Sequence, residues 1–284
     1  MKDGKWILLL LFATAIWGST FALVKDTLDS FPTFALLAVR FGIATALLAA
    51  YFALTKRKVS GYELKTGAFL GFFLFLGYFF QTWGLNYTSA TNSAFVTSLF
   101  VLMVPFLSIY VLGKMPQRKI WLAVALALAG LYLLTGASLS FNVGDAATLL
   151  CAAAYGIQIT YNAKYLKKAD PINLVFMQII TVAAISFALA LALGELPVQN
   201  YSAFSLGTLV FLALFATIGA HTIQLSAQKV IEPSKIALLL ITEPLFAALF
   251  AALFFNESIT GGQLLGAVLV LTGTFIAEYE KIRI

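Results

Sequence analysis

Three ionisable side chains, Arg40, His221 and Glu243, stand well inside long apolar stretches of this 284-residue sequence. A charge held alone in hydrocarbon costs about 2.5–3.5 kcal/mol even on the lenient insertion scale, so each demands a partner or a wet site. Arg40 can close a deep salt bridge, snorkel to a headgroup, or grip the carboxylate of an anionic substrate with paired hydrogen bonds. Glu243 precedes Pro244, which lacks a backbone donor and frees carbonyls nearby. A carboxylate beside such a break has the form of a proton or cation coupling site, with helix packing as the alternative. His221 can titrate near neutral pH or sit as a neutral, hydrogen-bonded ring.

Uncharged polar residues recur at helical spacing around these three. Tyr155, Gln158 and Asn162 fall at i, i+3 and i+7, and Thr217, His221, Gln224 and Gln228 at i, i+4, i+7 and i+11. Each set occupies one helix face. Tyr78 shares a face with Gln81, Trp17 with Thr20, and Gln178 with Thr181, while Asn92 and Ser98 lie on a further apolar run. Taken singly, each such residue is interhelical glue worth about a kilocalorie. Six runs presenting polar faces exceed what adhesion requires and predict a wet cavity. Its candidate lining is Trp17, Thr20, Arg40, Tyr78, Gln81, Asn92, Ser98, Tyr155, Gln158, Asn162, Gln178, His221 and Gln224, with Glu243 for coupling. No catalytic constellation accompanies them. One histidine cannot build an intramembrane metalloprotease site, and the lone Cys151 offers neither a disulfide nor a thiolate cluster and reads as a small core residue. No Gly-rich phosphate loop is present to drive transport with ATP. The expectation is a protein that is no enzyme and needs neither cofactor nor metal.

The elements that must position these residues are apolar segments at 6–24, 34–54, 67–86, 91–112, 119–136, 145–163, 172–193, 206–228, 235–255 and 261–278. The chain is 61% hydrophobic and 11% charged, against about 25% charged in a soluble domain. Backbone amides in hydrocarbon must be satisfied within each segment, which selects helices, and the apolar runs are too long for barrel strands. The net charge of +6 is spread over connections, so no basic face for nucleic acid forms. Lys2, Lys5, a short apolar run and Ala13-Thr14-Ala15 imitate a signal peptide, but the run continues through Val24 and reads as an uncleaved first helix. Of 18 Lys and Arg residues, 16 fall in the tails and the even-numbered connections; Lys25 and Arg40 are the exceptions. Basic residues resist translocation, which places both termini in the cytoplasm.

A weak internal repeat divides the chain into halves at 1–140 and 141–284. A shift of 143 residues aligns Phe72 with Phe215, Gln81 with Gln224 and Gly130 with Gly273; a shift of 138 pairs Trp17-Gly18 with Tyr155-Gly156 and Arg40 with Gln178. Pro105 and Pro244 miss alignment by four positions, so the helix breaks are expected at similar but not identical depths. Five helices per half is an odd number, so the second half is inverted, and inverted repeats place substrate near the midplane between them. The fifth and tenth spans carry small residues at i+7, Ala123/Gly130 and Gly266/Gly273, which suit close packing. They would brace the outside or form a homodimer contact.

The first helix carries Ala15-Ile16-Trp17-Gly18-Ser19-Thr20-Phe21 followed by Lys25. Thr88-Ser89-Ala90-Thr91-Asn92-Ser93-Ala94-Phe95 leads to Val104-Pro105, and Glu243-Pro244 and Asn256-Glu257 lead to Gly266 and Gly273. In that order and spacing the chain resembles the EamA-type transporters of the drug/metabolite transporter superfamily over essentially its whole length. It departs at Gly113-Lys114, where the family often has Gly-Glu. The resemblance implies an all-α, polytopic membrane protein of ten transmembrane helices with a central cavity and alternating access. It also implies export of amino acids or other small metabolites, with Trp17, Arg40, Asn92 and Glu243 at family-typical positions. The leading expectation is a secondary transporter of the prokaryotic cytoplasmic membrane, exporting a small polar or amphipathic metabolite, with proton coupling at Glu243. Two other readings are a membrane-embedded enzyme acting on a lipid-linked substrate through Glu243 and His221, and a non-transporting sensor or assembly subunit.

Overall fold

A few polar residues decide where each apolar run begins to coil. The computed structural model describes residues 4–135, 142–198, 201–255 and 260–278; Asn256 and Glu257 of the sequence motif lie outside them. The helices are α1 (Gly4–Thr27), α2 (Thr33–Thr55), α3 (Gly61–Gly84), α4 (Ala90–Leu112), α5 (Arg118–Thr135), α6 (Val143–Tyr165) and α7 (Pro171–Ala192). They continue with α8 (Ala203–Gln228), α9 (Pro233–Leu240 and Glu243–Phe255) and α10 (Gly261–Glu278). No strand occurs among the described residues. Eight of these helices are long and apolar enough to cross a membrane, and α10 is a shorter apolar helix.

Helix α3 starts six residues before the expected position 67, because Ser60 and Glu63 form a reciprocal capping box. That S-x-x-E signal was present in the sequence and satisfies two otherwise orphaned amides. Asn142 and Asp145 cap α6 in the same way, and Asp170 caps α7 ahead of Pro171.

Two helices are broken. In α4 the ladder is interrupted at Leu99, where Leu99 N donates to Val96 O at 3.2 Å and Leu102 N to Leu99 O at 3.0 Å. Pro105 lies six residues further on and is accommodated within the helix, so the proline does not mark the break. In α9 the interruption is at Ile241-Thr242, immediately before Glu243-Pro244. Leu99 and Thr242 are related by the 143-residue shift. The breaks therefore sit at equivalent positions, contrary to what the unaligned prolines suggested.

Helix α8 is wound as a π-helix over Leu212–Gly219. Helices α5 and α10 lie against each other along their length, and their small residues are spent there. A methyl group added to Gly130 would stand 2.6 Å from Gly266 O, and one on Gly273 the same distance from Ala123 O. The stripe considered for a homodimer is thus an intrachain contact, and the faces left outward carry Leu264, Leu265, Val268 and Phe275.

The connections sort into two ends. At one end the α2–α3 connection holds the start of α7: Arg57 pairs with Asp170 at 2.7 Å, and Glu63 accepts from Asp170 N and from Asn173 Nδ2. At the other, Glu195 accepts from Ala35 N at 2.8 Å, fixing the start of α2 to the α7–α8 connection. Here too Lys25 Nζ donates to Thr88 O, and Thr88 Oγ1 donates to Asp145 Oδ1. The first of these ends carries the basic even-numbered connections.

Candidate functional site

Between the two broken helices lies a cavity of about 60 Å³, room for only a few waters. Its wall comes in pairs under the two repeat shifts. Trp17 matches Tyr155 and Thr20 matches Gln158 across the 138-residue shift; Tyr78 matches His221, Gln81 matches Gln224, Thr97 matches Leu240 and Phe100 matches Glu243 across the 143-residue shift. Leu74 and Ile159 complete the lining. Close backbone approach permits this geometry: a methyl group on Gly18 would lie 2.7 Å from Glu243 O, so α1 rests directly on the second part of α9. Thr14 and Thr242 hydroxyls, 3.1 Å apart, tie α1 to the break itself.

The π-helical stretch of α8 organises one side. Ala216 O accepts from Trp17 Nε1 at 2.9 Å and lies 3.2 Å from His221 Nδ1. Sharing that carbonyl, the indole and imidazole meet edge to face at 5.3 Å. A carbonyl only accepts, so this contact is a hydrogen bond when His221 Nδ1 carries a proton.

Arg40 is 2% exposed and stands behind the wall rather than in it. Its Nε donates to Thr217 Oγ1 at 2.8 Å and its Nη2 to Tyr78 Oη at 3.3 Å, and its guanidinium lies 4.7 Å from the Tyr78 ring centroid. It has no carboxylate partner among the described residues. Neither the expected deep salt bridge nor direct access to the cavity is what the geometry gives; hydroxyls and ring faces surround the cation instead.

Of the sequence candidates, Trp17, Thr20, Tyr78, Gln81, Tyr155, Gln158, His221, Gln224 and Glu243 meet at the cavity. Gln178 lies one layer back, accepting from Gln158 Nε2 at 2.7 Å and donating to Asn162 Oδ1 at 3.3 Å. Asn162 is fully buried with its Nδ2 unpaired. Ser98 turns back onto Ala94 O of its own helix, and Asn92 sits at the capped start of α4, away from the cavity. Cys151 is buried beside Thr97. Thr97, Phe100 and Leu240 were not singled out from sequence, although shifting Glu243 back by 143 residues lands on Phe100.

The wall's polar groups differ in how they are satisfied. Gln81 Nε2 donates to Thr97 Oγ1 at 3.1 Å. Gln224, 4% exposed, and the Glu243 carboxylate face the cavity with no hydrogen-bond or ion-pair partner among the described residues. Polar groups that face a cavity without protein partners are where water or a ligand completes the set.

Comparisons with known proteins agree with this architecture. The family model of the EamA-like transporter family matches residues 4–136 and again 142–279. An uncharacterized transporter of Archaeoglobus fulgidus is 36% identical over 268 residues, covering 93% of this chain and 82% of that one. A probable amino-acid metabolite efflux pump of Escherichia coli is 27% identical over 292 residues, covering 97% and 94%. A crystal structure sharing 20% sequence identity superposes with a TM-score of 0.79 over 97% of this chain and 98% of its own, which shows a common fold.

Proposed function

This chain belongs to the EamA-like transporter family, and on that premise we propose that it exports a small polar or amphipathic metabolite, amino acids included, by alternating access. It is an integral protein of the plasma membrane and a transporter rather than an enzyme. Support for the cargo class comes from the relatives named as amino-acid metabolite efflux pumps and from the cavity's mixed wall.

The observation that carries the proposal is the pair of unpartnered groups, Gln224 and Glu243, facing one small cavity between paired helix breaks. A ligand there finds an amide that both donates and accepts and a carboxylate beside freed backbone, with rings on the other side. Ten spans with both termini in the cytoplasm follow from the charge asymmetry, and the grouping of even-numbered connections at one end favours that arrangement. Two inverted five-helix halves, at 1–140 and 141–284, are supported by the double match of the family model and by the paired cavity wall. Glu243 would carry the coupling proton, as the carboxylate that faces the cavity beside the break in α9. A dimer through α5 and α10 would have to use their outward apolar faces, because their small residues are already engaged.

The test is counterflow in proteoliposomes containing the purified protein and a panel of labelled amino acids and related metabolites. Saturable exchange that Gln224→Ala weakens supports the proposal; absence of saturable flux for the whole panel overturns it.

A further inference from the structure

Lys114, Lys167 and Lys229 belong to three different connections, yet they line one vestibule of about 580 Å³ at the basic end of the bundle. Positive charge at this end follows from topology, but convergence does not. Arg57 at the same end is engaged by Asp170, whereas none of these three ammonium groups has a hydrogen-bond or ion-pair partner among the described residues. Glu232 faces the same space, and so does Gln228, which is only 4% exposed. Gln228 donates from Nε2 to Ile159 O at 3.4 Å and leaves its buried Oε1 unpaired. A buried acceptor without a donor is destabilising unless a ligand supplies one.

We propose that this vestibule is a second binding site, taking a small anionic group, carboxylate or phosphate, that bears an adjacent O–H or N–H donor. The three ammonium groups hold the anion, and a small turn of the Gln228 amide brings its Oε1, otherwise closed off, to the donor. Gln228 bonds the backbone of Ile159, whose side chain lines the central cavity, so the site stands on the wall between the two spaces. A soluble metabolite and an anionic lipid headgroup offer the same chemistry. The proposal concerns occupancy, so it stands or falls separately from export.

Full-length protein in phosphatidylcholine nanodiscs, with sn-glycerol 3-phosphate as probe, provides the test through acylation rates of individual lysines read by mass spectrometry. The probe is expected to protect Lys114, Lys167 and Lys229 while Lys56 and Lys58, both exposed, react as before. Gln228→Leu and Gln228→Met, which keep all three lysines, should each weaken the probe about tenfold, the equivalent of one lost buried hydrogen bond. Replacing the exposed lysines together, as K114Q, K167Q and K229Q, should remove probe-dependent thermal stabilisation. Protection already complete in phosphatidylglycerol nanodiscs assigns the site to a lipid headgroup, and protection only on adding the probe assigns it to a soluble anion; both support the site. Equal protection of Lys56 and Lys58, unchanged affinity in both Gln228 variants, or no protection in either lipid overturns it.

Discussion

In the first half of the chain the cavity wall is carried by rings, Trp17, Tyr78 and Phe100, whereas the matching positions of the second half hold Tyr155, His221 and Glu243. Equivalent backbone positions thus meet across the cavity with unequal chemistry. The scaffold repeats because helix breaks and close approaches are backbone properties; the wall need not repeat because side chains there answer to a ligand. The sharpest difference is at one pair, where the first half places the Phe100 ring and the second half the Glu243 carboxylate.

The largest test of that contrast concerns the scaffold. Gly18→Ala places a methyl 2.7 Å from the Glu243 carbonyl oxygen, while Gly156→Ala meets Met103 Cβ at 3.3 Å, a contact a shift of a few tenths of an ångström relieves. Overpacking against backbone is expected to cost Gly18→Ala about 3 kcal/mol and Gly156→Ala under about 1 kcal/mol, compared by thermal unfolding in detergent. Equal shifts would show that the two close approaches are alike. Next, Glu243→Gln should cut accumulation driven by an imposed pH gradient about a hundredfold, or about 2.7 kcal/mol, and Phe100→Leu less than about threefold. If proteoliposome uptake keeps its full pH dependence in Glu243→Gln, the coupling role is lost and the contrast reduces to shape.

The paired amides sharpen the comparison at lower energy. Gln224 has no partner among the described residues, so Gln224→Ala should raise KM about tenfold without lowering the melting temperature. Gln81, bonded to Thr97, should respond oppositely: a stability loss of about 0.6 kcal/mol with little change in KM. The smallest effect is expected for Tyr78→Phe, which removes one long hydrogen bond from Arg40 at 3.3 Å and keeps the ring beneath the guanidinium. Its cost in unfolding should be about 0.5 kcal/mol, and a larger loss would mean that the hydroxyl, rather than the ring, holds the cation.

Much of this was legible in residue types. Apolar run lengths gave the helices to within a few residues except at α3, where the polar first turn around Ser60 and Glu63 masked the start. Helical spacing found Gln158, His221 and Gln224, because a wet face is written at i+3 and i+4. It could not separate the wall from the layer behind. Asn162 shares a face with Gln158 yet lies deeper, and Arg40 reaches Tyr78 through a rotamer that no spacing encodes. Ser98 was singled out and Thr97 was not, because spacing alone does not say which face of Ala90–Ser98 meets the cavity, and proline position misled about where the break falls.

The π-helical stretch of α8 has a consequence of register. An α-helix advances about 100° per residue, and a π turn typically accommodates one residue more than an α turn. Everything after Gly219, including His221, Gln224 and Gln228, is therefore aimed by a local surplus in the count rather than by the heading of Ala203–Phe211. Closing 212–219 as regular α with every residue kept would swing those three side chains together by about a quarter turn. A chain of unchanged composition would then present a different wall to both the cavity and the vestibule. In this helix, the winding of eight residues sets which side chains form the wall.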